Sequence, residues 1–389
     1  MKRHLSVALV VIAAAGLIAC EDLPSKPKEG PNDGPAPSVA VSEPFTHSNL
    51  TIFLLRGKDT LPAGHQLLTL QEAMEQKKVV VHETSTVNEL SIENVSTDAE
   101  VFVQAGDIVR GGKQDRLMAC DMVVPPKSGH IAIPSFCCES GRWTQRGKES
   151  AQAFNKSDQQ AANKDVKLAL NAARDQGRVW DEVKKAQMKL SEKVGKPVNA
   201  PESPSSYQLA LEDKDLQAKI DAYVKALAKV TDGKDDAIGF AIVVNGKVEG
   251  AEVYGSSALF RKLWPKLLKC AAIDALAEFQ KDKKFDAVAA KDVEKFLADA
   301  AAGPRKDVAL ASLGEGRNRQ TLNQAPNAAR PNVDSPAQGR GAAQATEPPA
   351  DAKPGRVRLV QSDNGKILMT ESQDGKAGNA VLHRSYIAK

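Results

Sequence analysis

The chain has 389 residues, with 53 lysines and arginines against 49 aspartates and glutamates, for a formal charge of +4. So even a balance leaves no electrostatic footprint for nucleic acid. Aromatic residues make up only 4% of the chain, which points to a modest core under an Ala- and Lys-rich, helical surface, and the length admits two or three domains.

Lys2 and Arg3 precede an apolar run from Leu5 to Ile18. That run is shorter than the roughly 20 residues a membrane span needs, and with its basic start it predicts a secretory signal. It ends in Leu17-Ile18-Ala19-Cys20, which resembles the bacterial lipobox. The resemblance implies that residues 1–19 are removed. Cys20 then carries acyl chains and holds the protein to a membrane on the extracytoplasmic side of the cell envelope. More than one acyl chain is needed for such an anchor to be stable, and losing Lys2 and Arg3 lowers the formal charge to +2. Residues 20–44 are then the lipidated cysteine and a tether, since Pro24, Pro27, Pro31, Pro35, Pro37 and Pro44 break helices and central strands.

From residue 45 the sequence predicts one α+β domain reaching the C-terminus. Leu50 to Leu55, Val79 to Glu83, Val101 to Gln104, Met118 to Val124 and His130 to Pro134 are β-branched apolar runs that read as strands. The turn residues 125–129 suggest that the last two form a hairpin. Ser150 to Val194 is rich in Ala, Lys, Gln and Glu, with a sparse stripe of Val166, Leu170, Val179, Val183 and Leu190, and predicts helix. Leu216, Ile220, Leu227 and Val230 mark a second amphipathic helix. Asn245-Gly246 between two apolar runs is a hairpin signal, because both central residues of a type I′ turn need positive φ. Ser256 or Ser257 caps the next helix, and another runs to about Ala302. Residues 314–355 lack apolar periodicity and predict a disordered insertion within the domain. The runs after it, 356–361, 366–370 and 381–387, are expected to join the main sheet, because isolated terminal strands are marginal.

Four cysteines follow Cys20: Cys120, Cys137, Cys138 and Cys270. Disulfides persist outside the cytoplasm, and three full pairings are open. No spacing of cysteine or histidine suggests a zinc site, and no cofactor is implied. The densest polar signals are Gly111-Gly112-Lys113-Gln114-Asp115-Arg116 and Cys137-Cys138-Glu139-Ser140-Gly141-Arg142-Trp143. Paired glycines let backbone approach a ligand, and Arg and Lys suit phosphate or carboxylate. Trp143 could stack on a ring. The same charges could equally form a salt-bridge network that fixes two loops.

These motifs, with Ile133-Pro134, resemble the ADP-ribosylglycohydrolase- and rhodanese-phosphatase-superfamily-associated protein domain. The similarity continues through Gly239 to Val244, Leu259 to Leu268 and Val381-Leu382-His383. By that resemblance the polar site falls on Lys113, Gln114, Arg116, Glu139, Arg142 and Trp143. Asp115, Cys138 and Ser140 depart from the family pattern of asparagine, an aliphatic residue and glutamine. The resemblance implies no established reaction.

Three roles are open. A ligand-binding or interaction module would hold an anionic small molecule at the motif. A scaffold would use the motif as a brace and present helices 150–194 to another envelope protein. An enzyme acting on an ADP-ribose- or nucleotide-like substrate would use Glu139 as base, with Cys138 as nucleophile and His383 assisting.

Overall fold

The computed structural model describes residues 39–161, 163–309 and 357–389; Cys20 and the 314–355 insertion lie outside the described residues. The fold is α+β, with three sheets among the described residues. The largest runs, by residue range, Ala40–Val41, Leu50–Arg56, Ala237–Val244, Lys247–Tyr254, Ala380–Ala388, Ile367–Asp374, Val357–Asp363 and Arg305–Val308. Phe45–His47 adds to the early edge by pairing with Leu50–Arg56.

Alternation along the strands sorts side chains to the two faces of this sheet. Leu50, Ile52, Leu54, Phe240 and Ile242 join a core with helices Ser257–Ala277 and Lys214–Leu227. Phe53, Leu55, Ala241 and Val243 face the other way, under Val293 and Leu297 of helix Ala290–Ala301. Every residue of Ala237–Val244 is buried, as a strand covered on both faces requires. Asn245 and Gly246 have φ of 53° and 73°, the type I′ geometry expected of that hairpin. Ser256 caps the long helix by accepting from the Leu259 amide at 3.1 Å. The last three strands enter the main sheet, as the sequence implied.

A second, six-stranded sheet has the order Phe154–Gln160, Asp107–Gly111, Arg116–Met118, His130–Cys137, Glu89–Asn94 and Val79–Thr86. A small sheet of Met122–Val124, Glu100–Val103 and Leu67–Thr69 packs with it around Val81, Ile92, Val103 and Ile133.

The structure corrects several expectations. The run 118–124 is two strands in different sheets, Arg116–Met118 and Met122–Val124, broken at Ala119-Cys120-Asp121. Consequently Met122–Val124 and His130–Cys137 do not pair as a hairpin: the first bonds Glu100–Val103, the second Glu89–Asn94. The helix expected from Ser150 begins only at Lys164, after the Asn163 cap. Residues Phe154–Gln160 are instead a strand on Asp107–Gly111, where buried polar side chains find partners, as in Ser157 Oγ donating to Gln208 Oε1 at 2.6 Å. Finally, Ala40–Val41 pairs with the sheet although it lies inside the stretch assigned to the tether. Pro37 and Pro44 bracket it and leave six residues free to make an edge.

Candidate functional site

The two polar motifs meet at one end of the six-stranded sheet. The turn 111–115 joins strands Asp107–Gly111 and Arg116–Met118, and the loop after Cys137 folds over it. Gly111 and Gly112 have φ of +115° and +54°. A Cβ on Gly112 would lie 2.4 Å from the Phe154 ring and 2.8 Å from Glu83 Oε2. The glycines therefore admit the protein's own side chains to the turn.

Those side chains are anions, and they occupy the places a ligand anion would take. The Gly111 amide donates to Asp115 Oδ1 at 2.9 Å, the Lys113 amide to Glu83 Oε2 at 3.1 Å, and the Asp115 amide to Glu139 Oε1 at 2.7 Å. The Gly112 amide donates to the Ser150 carbonyl at 2.9 Å. Glu139 also accepts from Ser203 Oγ at 2.5 Å, and Asp115 from Ser206 Oγ at 3.0 Å.

The guanidiniums close the network. Arg142 Nε donates to Glu139 Oε1 at 2.8 Å and its Nη1 to the Thr144 carbonyl at 2.6 Å. Arg146 forks onto both oxygens of Asp115, at 2.7 and 3.0 Å, and reaches Glu149 at 3.0 Å. Arg116 is 0% exposed; it donates to both oxygens of Glu83, to the Val87 carbonyl and to the Cys137 sulfur. Glu83, Asp115 and Glu139 are likewise buried. Above them Trp143 is 41% exposed. The Arg116 guanidinium and the Lys113 ammonium each lie 5.5 Å from its ring centroid, within cation–π range. Lys113 Nζ donates to Ser85 Oγ at 2.9 Å, and Gln114 Nε2 to the Glu139 carbonyl at 3.1 Å.

Lys113, Gln114, Arg116, Glu139, Arg142 and Trp143 are thus brought together. Glu83, Arg146, Glu149, Ser203 and Ser206 complete the cluster; Glu83, Ser203 and Ser206 come from distant strands and loops, whereas Arg146 and Glu149 follow the second motif in the same loop and were not singled out by its pattern. The two remaining catalytic candidates are placed otherwise. Cys138 is buried in the apolar core, and burial, reinforced by Asp115 and Glu139, pushes its thiol well above the usual range, so it carries no thiolate near neutral pH. The cysteines Cys120, Cys137, Cys138 and Cys270 are all free thiols.

His383 belongs to a different buried cluster. Its Nδ1 lies 2.8 Å from Asp121 and its Nε2 2.9 Å from Glu252, and its ring stacks on Tyr254 with centroids 4.5 Å apart. Glu252 also pairs with Lys167 at 3.2 Å, and Asp121 accepts from Ser372 Oγ at 2.8 Å. Burial works to lower the His383 pKa, but Asp121 and Glu252 outweigh it and hold it up at about 9. None of these polar contacts reaches Glu139, Cys138 or the motif arginines.

Two open cavities of about 410 and 430 Å³ lie elsewhere, lined by residues such as Lys164, Lys247 and Asp274 in one and Asn49, Lys284 and Phe285 in the other, and no motif residue lines either. Among the described residues no helix is long and apolar enough to cross a membrane.

The fold is a mixed α+β domain whose motif loops are locked by buried ions. A model of the ARG and Rhodanese-Phosphatase-superfamily-associated Protein domain family matches residues 38–332, and the chain belongs to that family. The match includes both motifs and ends before His383. No curated protein and no solved structure matches the chain.

Removing one partner of a buried ion pair strands the other charge, at a cost of about 3–5 kcal/mol. Glu139→Ala and Arg146→Ala should each lower the unfolding free energy of the full chain by about that much, read from urea titrations. His383 gives a second expectation with a defined sign. Its folded pKa exceeds the unfolded value of about 6.5, so its contribution is fully present below that pH and is lost as pH rises through about 9. His383→Gln should flatten the fall in stability between those limits, a difference of about 3 kcal/mol by unfolding at pH 6 and pH 9.5.

Proposed function

We propose that this chain is a lipid-anchored module of the bacterial cell envelope. Its family motif braces the fold, and its work is that of an interaction scaffold. One observation carries the brace reading: the amides of the Gly-Gly turn are taken by Glu83, Asp115, Ser150 and Glu139, while Arg116, Arg142 and Arg146 are neutralised by those same carboxylates. An incoming phosphate would have to displace a buried carboxylate that already holds its cation. A general base at Glu139 fits no better, since its two oxygens accept from Arg142, Ser203 and the Asp115 amide.

The envelope reading rests on the basic start, apolar run and Leu17-Ile18-Ala19-Cys20. Trp143 favours one alternative, a binding module for an anionic, ring-bearing small molecule. It is the exposed aromatic of the cluster and has Lys113 beside it.

The two readings separate in one experiment. Thermal unfolding of the full chain is followed with and without ADP-ribose, for the parent and for Lys113→Ala and Trp143→Ala. The brace reading expects no change in midpoint with ADP-ribose for any of them. A ligand at about 100 times its Kd would stabilise by about 2.7 kcal/mol, so a rise in the parent that both variants lose would establish the binding module instead. For the anchor, Cys20→Ala should move the chain from the membrane pellet to the soluble fraction and abolish incorporation of labelled fatty acid. Retention in the pellet would refute lipid anchoring at this residue.

A further inference from the structure

On the half-exposed face of the six-stranded sheet, three potential metal ligands converge from three adjacent strands. His82 is on Val79–Thr86, Glu93 on Glu89–Asn94 and His130 on His130–Cys137. Register places them together: His82 is opposite Ser91, and His130 is directly opposite Glu93. Residues two apart on a strand share a face, so His82, Ser91, Glu93 and His130 all project to the same side. Val81, Ile92 and Ile131, of opposite parity, point into the core.

One imidazole nitrogen from each histidine and one carboxylate oxygen of Glu93 all lie within 4.8 Å of one another. His82 Nε2 and Glu93 Oε2 are 3.6 Å apart. Ligand atoms held at about 2.0–2.1 Å from a tetrahedral zinc ion are separated by about 3.4 Å, so this pair is already spaced for a shared cation, and the third ligand needs only a side-chain adjustment.

Two further observations point to a ligand. His82 Nε2 is buried and has no hydrogen-bond partner, although a buried polar atom is normally satisfied. His130 Nδ1 lies 3.0 Å from Ser91 Oγ, a hydrogen bond of the kind that fixes the orientation of a ligating imidazole.

We propose that His82, Glu93 and His130 form a binding site for a divalent first-row transition cation, with zinc as the reference ion and at least one coordination position open to water or an external ligand. Two imidazoles and a carboxylate suit zinc and its neighbours, and disfavour magnesium and calcium, which take oxygen ligands. The ion would tie three strands together. It would also tie them to the brace, because the His82 backbone bridges to Ala153 and the adjacent Glu83 is the partner of Arg116.

A second group, His65, Glu100 and Asp374, is a poorer host. Lys376 Nζ lies 3.8 Å from Glu100, and Asp374 already caps a short helix by accepting from the Lys376 amide. A resident ammonium opposes a cation there.

The test is zinc titration by calorimetry on the full untagged chain in a non-chelating buffer, with cobalt absorption as a second readout. One zinc per chain is expected, with a visible cobalt band lacking the sulfur-to-metal transition, since the four cysteines among the described residues are buried elsewhere. His82→Ala, Glu93→Gln and His130→Ala should each weaken binding at least about 100-fold, around the upper end of losses seen for outer-shell changes, while His65→Ala leaves it within threefold. Metal-free unfolding midpoints of the four variants verify that they are folded. His130→Ala, at an exposed position, is the variant expected to be least disturbed. Absence of zinc binding to the parent would overturn the proposal. So would affinity retained in folded His130→Ala, or affinity lost in His65→Ala alone.

Discussion

Charge buried without water must be neutralised by the protein, and the ends of the six-stranded sheet are organised around that requirement. Glu83, Asp115 and Glu139 lie out of solvent together with Arg116, and each carboxylate finds both a guanidinium and a backbone amide. Buried pairs of this kind add little net stability, because desolvation consumes most of the Coulombic gain. What they impose is mutual dependence. Gly112 is needed because Phe154 and Glu83 crowd it, Glu83 is needed by Arg116, and Arg116 in turn supports the exposed Trp143. A short run of motif residues can therefore persist as a unit for reasons of folding alone.

The same logic recurs where the smaller sheets meet the large one. Asp121 sits in the break between two strands of different sheets, and it reaches across to His383 and Ser372 on the large sheet. With Glu252 and Lys167 it makes a second internally balanced cluster. This second cluster thus sits at a joint between sheets. Apolar alternation fills the layers themselves.

Sequence legibility followed the physics of each element. The Asn245-Gly246 hairpin, the strand Ala237–Val244 and the capped helix Ser257–Ala277 were readable because turn chemistry, continuous apolarity and capping are local. Phe154–Gln160 was hidden because its polar residues are satisfied by distant partners such as Gln208. The run 118–124 looked continuous because nothing in its composition marks Asp121 as the residue that leaves one sheet for another. At the candidate site, the motif residues could be named, but their state could not. Whether Arg116 and Arg142 are free or neutralised depends on Glu83 and on the turn geometry, which spacing along the chain does not encode. His82, Glu93 and His130 are separated by 11 and 37 positions, and only strand register makes them neighbours.

The order of strands in the large sheet also has a consequence for synthesis. Leu50–Arg56, Ala237–Val244 and Lys247–Tyr254 supply most of one half. The other half comes mostly from the last 33 residues, with Ala380–Ala388 wedged between Lys247–Tyr254 and Ile367–Asp374. The interior strand that joins the two halves therefore emerges after the other described strands of this sheet. Until it does, Lys247–Tyr254 has an open edge, and closing it requires contacts spanning well over a hundred residues. Such long-range pairing is slow. The large sheet therefore stays open until Ala380–Ala388 has been made, and deleting that strand would remove a middle plank and leave both halves with exposed edges.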